Sequence, residues 1–320
     1  MSLPKLNFSL TQIEYVLAVH RLGHFAKAAE ACFVTQPTLS MQIQKLEQDL
    51  GAVLFDRSKK PILLTQIGKQ LIEQFQETLN AAKKINEIVT RNVSGEIQGD
   101  LRVGVIPTLA PYLIPRVLPT LEKLSPKLSL RLSEYQTAKL LQALEDDEVD
   151  VGLLATPVAK PQVHEIPLFY EPFSVLCRRD HPLAGSKRIR HSSLKYDDIW
   201  LLEEGHCLRN QVVDVCALKP TDHMQRKFQF ASGSLETVKN LVNRYGGFTL
   251  LPALACEDLG TRSELIPFER PIPAREIGLV HRREHYKLEL IEAFGQALLQ
   301  CLPEEIRKLR PRDLAILPVE

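Results

Sequence analysis

Thr35-Gln36-Pro37-Thr38-Leu39-Ser40-Met41-Gln42-Ile43-Gln44-Lys45-Leu46 decides what the front of this chain is. Thr35 suits an N-cap and Pro37 the first helical turn, so a helix opens at Gln36. Leu39, Ile43, Leu46 and Leu50 follow at steps of four, three and four and face one core; Gly51 ends the run. Thr38, Ser40, Gln42 and Gln44 fill other positions. Upstream, residues 9–21 read as a first helix, with Ser9 as its cap and Ile13, Val16 and Leu17 as its stripe. Gly23 breaks it. Phe25, Ala28, Ala29 and Cys32 then mark a second, short helix.

A short helix, a tight turn and a longer helix opening on small polar residues make a helix-turn-helix. The second helix of that motif enters the major groove with its N-terminal residues toward base edges. Hydroxyl and amide side chains there can bond to phosphate or bases. Val53 to Thr65 reads as a hairpin wing, with Arg57, Lys59 and Lys60 at its tip, in reach of phosphate or the minor groove. From Thr65 to about Val93 no proline intervenes, and Ile67, Leu71, Phe75, Leu79, Ala82, Ile85 and Val89 recur at steps of three and four. That predicts one amphipathic helix, roughly 40 Å long, paired with a copy of itself. Ser94 to Asp100 has the composition of a hinge.

Beyond it, strands and helices alternate. Strands are expected at 101–106, 128–135, 150–155, 173–178, 198–202, 227–231, 247–251 and 276–281. Helices are expected from Pro107-Thr108 to about Leu124, from a Thr137 cap to near Glu148, and from Ser234 to Arg244. Such alternation implies parallel sheets with helices on both faces. The length suits two subdomains with a cleft between them. In open α/β sheets ligands sit outside the carboxyl ends of the strands. Thr108, Thr137 and Cys207 each fall just past an expected strand and at a helix start, and together offer two hydroxyls and a thiol to an anion- or peroxide-sized site. Around Cys207, in Glu203-Glu204-Gly205-His206-Cys207-Leu208-Arg209-Asn210-Gln211, a helix N-terminus and the positive charge of His206 and Arg209 would favour thiolate. It reads as a peroxide-reactive thiol.

Composition sets bounds. The 320 residues allow two or three domains. A net charge of +1 gives no global electrostatic case for nucleic acid. Residues 1–94, however, hold 11 Lys/Arg against 8 Asp/Glu, a mildly basic front on a mildly acidic body. No apolar run approaches a membrane span and no signal-peptide layout opens the chain, so a cytoplasmic protein is expected. In that compartment the six cysteines (Cys32, Cys177, Cys207, Cys216, Cys256 and Cys301) are no disulfide scaffold; a pair that bonds would be redox-active. Cys32 reads as a core residue, and Cys177, Cys256 and Cys301 as structural. No helix-opening Gly-x-Gly-x-x-Gly, Walker sequence or His-Glu-x-x-His occurs, and His223 with Cys207 and Cys216 lacks the close pairs of a zinc site. No cofactor and no metal are expected.

The head resembles the LysR-type transcriptional regulators. The residues that carry this are Phe25-Ala26-Lys27-Ala28-Ala29-Glu30, Thr35-Gln36-Pro37-Thr38-Leu39-Ser40, Ile43-Gln44-Lys45-Leu46-Glu47, Leu50-Gly51 and Leu54-Phe55-Asp56-Arg57. Gly205-His206-Cys207-Leu208-Arg209 with Cys216, Ile106-Pro107-Thr108 through Pro115, Ser234-Leu235-Glu236-Thr237 and Thr249 through Ala255 resemble the hydrogen peroxide sensors of that family. The resemblance implies a winged helix-turn-helix over 1–65, a linker and dimerisation helix over 66–94, and a periplasmic-binding-protein-like α/β regulatory domain over 95–320. The last would divide into subdomain I (about 100–168 and 270–320) and subdomain II (about 169–269). It implies a non-enzymatic activator acting on double-stranded promoter DNA, dimeric through the linker helix and tetrameric overall, with RNA polymerase as a further partner. Gln36, Pro37, Thr38, Ser40 and Arg57 would meet DNA; Met41 stands where many relatives carry arginine. Cys207 would be the peroxidatic and Cys216 the resolving cysteine, with Thr108, Thr137, His206, Arg209 and Arg275 around the peroxide. The segment from Cys216 to Phe230 is longer than is usual in such sensors.

On one continuous helix, nine residues would separate the two cysteines by roughly 13 Å along the axis and about 180° around it. A disulfide needs Cα atoms within about 7 Å. Oxidation would therefore force a rearrangement, as a switch requires. Two other classes compete. A LysR-type regulator binding a small metabolite in the inter-subdomain cleft would ignore peroxide. A thiol peroxidase or disulfide reductase would leave the first 94 residues unexplained.

Overall fold

Ser9 closes a capping box on the first helix, its hydroxyl accepting from the Gln12 N–H while the Gln12 side chain accepts from the Ser9 N–H. Such a cap contributes about 1 kcal/mol. The computed structural model describes residues 7–94, 97–191, 194, 198–217, 232–257, 259, 261–283 and 285–319. The chain divides into two units, Met1–Gly95 with Glu284–Tyr286, and Glu96–Arg283 with Lys287–Glu320.

In the first unit, α1 (Leu10–Leu22), α2 (Phe25–Ala31) and α3 (Gln36–Leu50) pack around Ile13, Val16, Leu39, Ile43 and Leu46. Thr35 caps α3, accepting from the Thr38 N–H, and Gly51 ends it in the left-handed conformation its missing Cβ permits. The wing is a two-stranded antiparallel ribbon, β1 (Phe55–Asp56) with β2 (Leu63–Leu64). The long helix α4 spans Gln66–Ser94 as expected. It does not stand free along its first half, because Phe75 and Leu79 are buried in the head's own core and Leu71 and Ile72 pack against it. Ile85, further on, is exposed.

The second unit contains β3 (Gln98–Val105), α5 (Ala110–Leu124), β4 (Lys127–Glu134), α6 (Thr137–Glu145), β5 (Val151–Thr156), β6 (Val163–Arg178), α7 (Cys207–Val215), α8 (Leu235–Tyr245), β7 (Phe248–Pro252), β8 (Ser263–Pro267), β9 (Ile272–Arg282), α9 (Leu288–Cys301), α10 (Glu304–Arg307) and β10 (Leu314–Ile316). The expectation of parallel sheets needs correction. β3 pairs in parallel with β4 and β5, but β5–β9, β6–β9, β6–β7 and β6–β8 are antiparallel. The reason is length. β6 has 16 residues and β9 has 11, and this antiparallel pair is the spine to which the other strands attach.

Two hydrophobic cores flank that spine. One gathers Val103, Val105, Leu113, Val151, Leu153, Phe169, Ile277 and Phe294. The other gathers Phe173, Val175, Trp200, Leu208, Val212, Cys216, Val238, Phe248 and Ile266. β6 contributes Phe169 to the first and Phe173 to the second, one strand threading both.

Other expectations are corrected locally. Residues 198–202 form no strand; Ile199 makes a single bridge to Phe248, while the Trp200 indole donates to Gly246 O and the Thr249 hydroxyl donates to Trp200 O. The supposed hinge is cut short because β3 already begins at Gln98. Thr137 is the first residue of α6 and Gln136 its cap, and α6 ends at Glu145. The expected strand 227–231, the segment 218–230 and His223 lie outside the described residues. Among the described residues, no helix is long and apolar enough to cross a membrane.

Candidate functional site: a thiol at a helix start between two cores

Gly205 turns the chain into α7 at φ +92°, a conformation that glycine adopts without strain. His206 is the N-cap in extended backbone, and Cys207 is the first helical residue. Leu208, Val212, Val215 and Cys216 anchor the helix in the second core. Cys207 belongs instead to the first core. The residue, only 5% exposed, thus sits at the boundary between the lobes, at a helix start.

Cys216 caps the other end of the same helix and has no exposed surface. Burial pushes its thiol up to about 12. Burial also raises Cys32 and Cys301, and takes Cys177 to about 11 and Cys256 to about 12; for Cys177, Glu264 and Asp198 add to the effect. Cys256 and Cys301 donate their thiol hydrogens to Pro252 O and Leu298 O. Cys32 is partly buried against the head's core.

Thr108 lies beyond the end of β3, two residues before α5, and is buried. Its Oγ1 accepts from Arg275 Nη1 at 2.9 Å, and its carbonyl accepts from Nη2 at 3.2 Å. The hydroxyl hydrogen is left to donate to a guest. Arg275 is itself fully buried, paired across β6–β9 with Glu171 at 2.7–2.8 Å. The other Glu171 oxygen accepts from the Leu254 N–H at 2.8 Å. Thr108, Arg275 and Glu171 form one interlocked polar unit in an apolar setting.

His206 is buried, and desolvation lowers its pKa against the opposing pull of Glu203. The positive charge expected beside Cys207 from His206 is therefore withdrawn, and the helix N-terminus remains. Gln136 Nε2 stands 3.4 Å from His206 Nε2. Thr137, the residue after it, is half-buried at the start of α6. Arg209 turns toward Glu204 at 3.9 Å. The sequence-predicted residues thus fall into pairs, with Thr108 on Arg275 and His206 beside the α6 start that holds Thr137.

Sequence reading missed three residues here. Glu171 was passed over because the first ten residues of β6, 163–172, were not read as a strand. Gln136 was hidden by the assignment of the cap to Thr137. Gln211 lies four residues after Cys207 and so on the same face of α7. It is buried, its Nε2 donates to Pro318 O at 3.3 Å, and its Oε1 has no partner among the described residues. Across the lobes, the Tyr112 hydroxyl donates to Glu236 at 2.6 Å, and Lys239 donates to the same carboxylate.

In the head, Gln36 and Pro37 are exposed at the start of α3, with Thr38 and Ser40 half-buried beside them. Gln42 is turned inward and accepts from Gln12 of α1. Arg57 is not a free wing tip: it pairs with Glu47 at 3.1 Å, donates to the Ser40 hydroxyl at 3.4 Å and lies over the Phe25 ring. Lys59 and Lys60 are exposed.

Residues 10–69 match the bacterial regulatory helix-turn-helix protein, lysR family, and residues 94–302 match the LysR substrate binding domain. The chain is 38% identical over 277 residues to a hydrogen peroxide-inducible genes activator of Dickeya chrysanthemi, covering 86% of this chain and 89% of that protein. A full-length OxyR variant from Pseudomonas aeruginosa superposes with a TM-score of 0.76 at 33% identity, covering 92% of this chain and 99% of that one. A peroxide-bound mutant of Corynebacterium glutamicum OxyR gives 0.60 at 33% identity, covering 92% of each chain.

Proposed function

The chain belongs to the LysR family of bacterial helix-turn-helix regulators, and we propose that it is a peroxide-responsive transcription regulator whose switch is the pair Cys207 and Cys216. The observation that carries this reading is the placement of the two cysteines at opposite ends of α7, in separate cores. The likeness to peroxide-inducible activators, and to a sensor structure holding hydrogen peroxide, supports it.

Peroxide enters beside Cys207. The thiolate sulfur attacks one peroxide oxygen, the O–O bond breaks, and hydroxide leaves to be protonated as water. Cys207 is then a sulfenic acid. The Thr108 hydroxyl, held by Arg275, and the Thr137 hydroxyl orient the peroxide, and His206 and Arg209 complete the surround. Cys216 next attacks the sulfenic sulfur, the S–S bond forms, and a second water departs. A thiol raised to about 12 is a poor nucleophile in place, so Cys216 reacts only after leaving the second core. α7 must open for this, and the lobes repack with it.

The head reports the change. Gln36, Pro37, Thr38 and Ser40 face the duplex, and Arg57 holds the wing beside them. α4 joins two heads through its outer half, and the regulatory units associate into a tetramer that positions RNA polymerase. A gel shift and footprint on promoter DNA, with and without peroxide and paired with free-thiol counting, tests the reading. The wild-type chain loses two thiols and changes its footprint, and C207S does neither. An unchanged footprint with peroxide, or one that changes with a small carboxylate instead, overturns it in favour of a metabolite sensor.

A further inference from the structure

Around His206, three elements converge on one ring nitrogen. From α6, Gln136 Nε2 lies 3.4 Å from His206 Nε2. From the turn before α7, Glu203 Oε1 lies 3.8 Å from the same atom. From segment 232–234, a Cβ added to Gly233 would stand 3.2 Å from it and 2.8 Å from Glu203 Oε1, so only a glycine leaves the ring its place. Gln136 also backs onto Gly205, where an added Cβ would meet its Oε1 at 3.1 Å. The amide is thus packed against Gly205, and its nitrogen stands next to the ring.

Distance chooses between the two neutral tautomers. A ring N–H at Nε2 would need an acceptor, and Glu203 at 3.8 Å is beyond hydrogen-bond range. A ring lone pair at Nε2 needs a donor, and the Gln136 amide supplies one. Other charge nearby is spent elsewhere, since Arg209 on α7 faces Glu204 at 3.9 Å. From segment 232–234, Gly233 adds no charge beside the ring nitrogen.

We propose that Gln136 is a positioning residue: reaching across from α6, it donates to His206 Nε2, fixes the imidazole as its Nδ1–H tautomer and keeps the ring uncharged beside Cys207. The proposal deepens the sensor reading and rests on Cys207 as the reacting thiol. Its consequence is that Cys207 answers to the helix N-terminus alone, so its reactivity does not follow the protonation of its neighbour across the near-neutral range. A carboxylate in place of the amide would reverse this, because it favours imidazolium.

The test uses the full chain with nitrogen-15-labelled histidine, assigned with H206N. In the wild type, His206 Nε2 is expected as the nitrogen without hydrogen; an Nε2–H tautomer overturns the proposal with no variant needed. In Q136E, the His206 ionisation constant is expected to shift by about tenfold or more toward imidazolium. The iodoacetamide alkylation rate of Cys207, read by mass spectrometry, then gains a component that tracks the His206 titration measured in the same chain, which the wild-type profile lacks. A Q136E chain that keeps the wild-type titration and rate profile overturns it. None of these readouts involves peroxide. A Cys207 that ignores peroxide would sink the sensor reading alone.

Discussion

Cys207 and Cys216 stand at the two ends of one nine-residue helix, and their side chains belong to different hydrophobic cores. The proposed bond between them would be a change of fold rather than a staple, because the helix that separates them must be lost for it to form. The C216S chain should therefore stop at the first chemical step. After peroxide, Cys207 is expected as a sulfenic acid trapped by dimedone, while the footprint stays that of the reduced protein. A footprint that still switches would place the signal at sulfenic acid formation.

Burial of Cys216 also sets an alkaline limit. Its folded pKa of about 12 lies above the roughly 8.5 of an unfolded thiol, so the unfolded chain ionises first. The stability it contributes is fully present below about pH 8.5 and is lost as pH rises toward 12. Urea midpoints measured from pH 8 to 10 should fall more steeply for the wild type than for C216A.

His206 acts at the other end of the scale. Its folded pKa is depressed, so below about pH 6.5 the unfolded state binds a proton that the folded state does not. Stability should decline as pH falls through that value, and H206N should flatten the decline between pH 7 and 5. Equal slopes for the two proteins would show that the ring ionises freely in the fold.

Glu171 and Arg275 make the costliest single change. In E171Q the Arg275 guanidinium keeps its charge but loses its carboxylate in a fully buried site. Removing one partner of such a pair costs about 3–5 kcal/mol. Urea unfolding should show that loss, and Cys207 oxidation should slow because Thr108 is no longer held.

Arg57 and Lys59 are expected to differ in how salt affects their variants. Arg57 is already matched by Glu47. R57A should weaken DNA binding while leaving the slope of log K against log salt unchanged. K59A should reduce that slope by about 0.9, as one lost phosphate contact does. A reduced slope in R57A would mean that the guanidinium leaves Glu47 for phosphate in the complex.

The head was legible because each of its signals is local. Ser9, Thr35, Pro37 and Gly51 mark helix ends by their own backbone chemistry, and α3 begins and ends where they say. The regulatory unit was legible only in part. β6 runs through Pro167 with a register shift before Phe169, and it carries Glu171 inward to meet Arg275. Neither apolar alternation nor charge marks such a strand as central, so its first ten residues went unread and the antiparallel spine with them. Residues 198–202 failed in the opposite way. They are apolar enough for a strand, but their backbone pairing stops at one bridge, Ile199 to Phe248, and the Trp200 and Thr249 side chains make the further bonds. For the site, Thr108 was visible as a residue just past a strand and Cys207 as a residue opening a helix, whereas Gln136 and Glu171 act through partners 70 and 104 positions away.

Among the described residues, the hydrophobic core of the head draws its members from residues 8–79, and none of them belongs to either core of the regulatory unit. The chain is therefore two separately heritable instruments on one polypeptide. A lineage can exchange the DNA-binding unit for a new operator, or the regulatory unit for a new stimulus, with residues 284–286 going with the head.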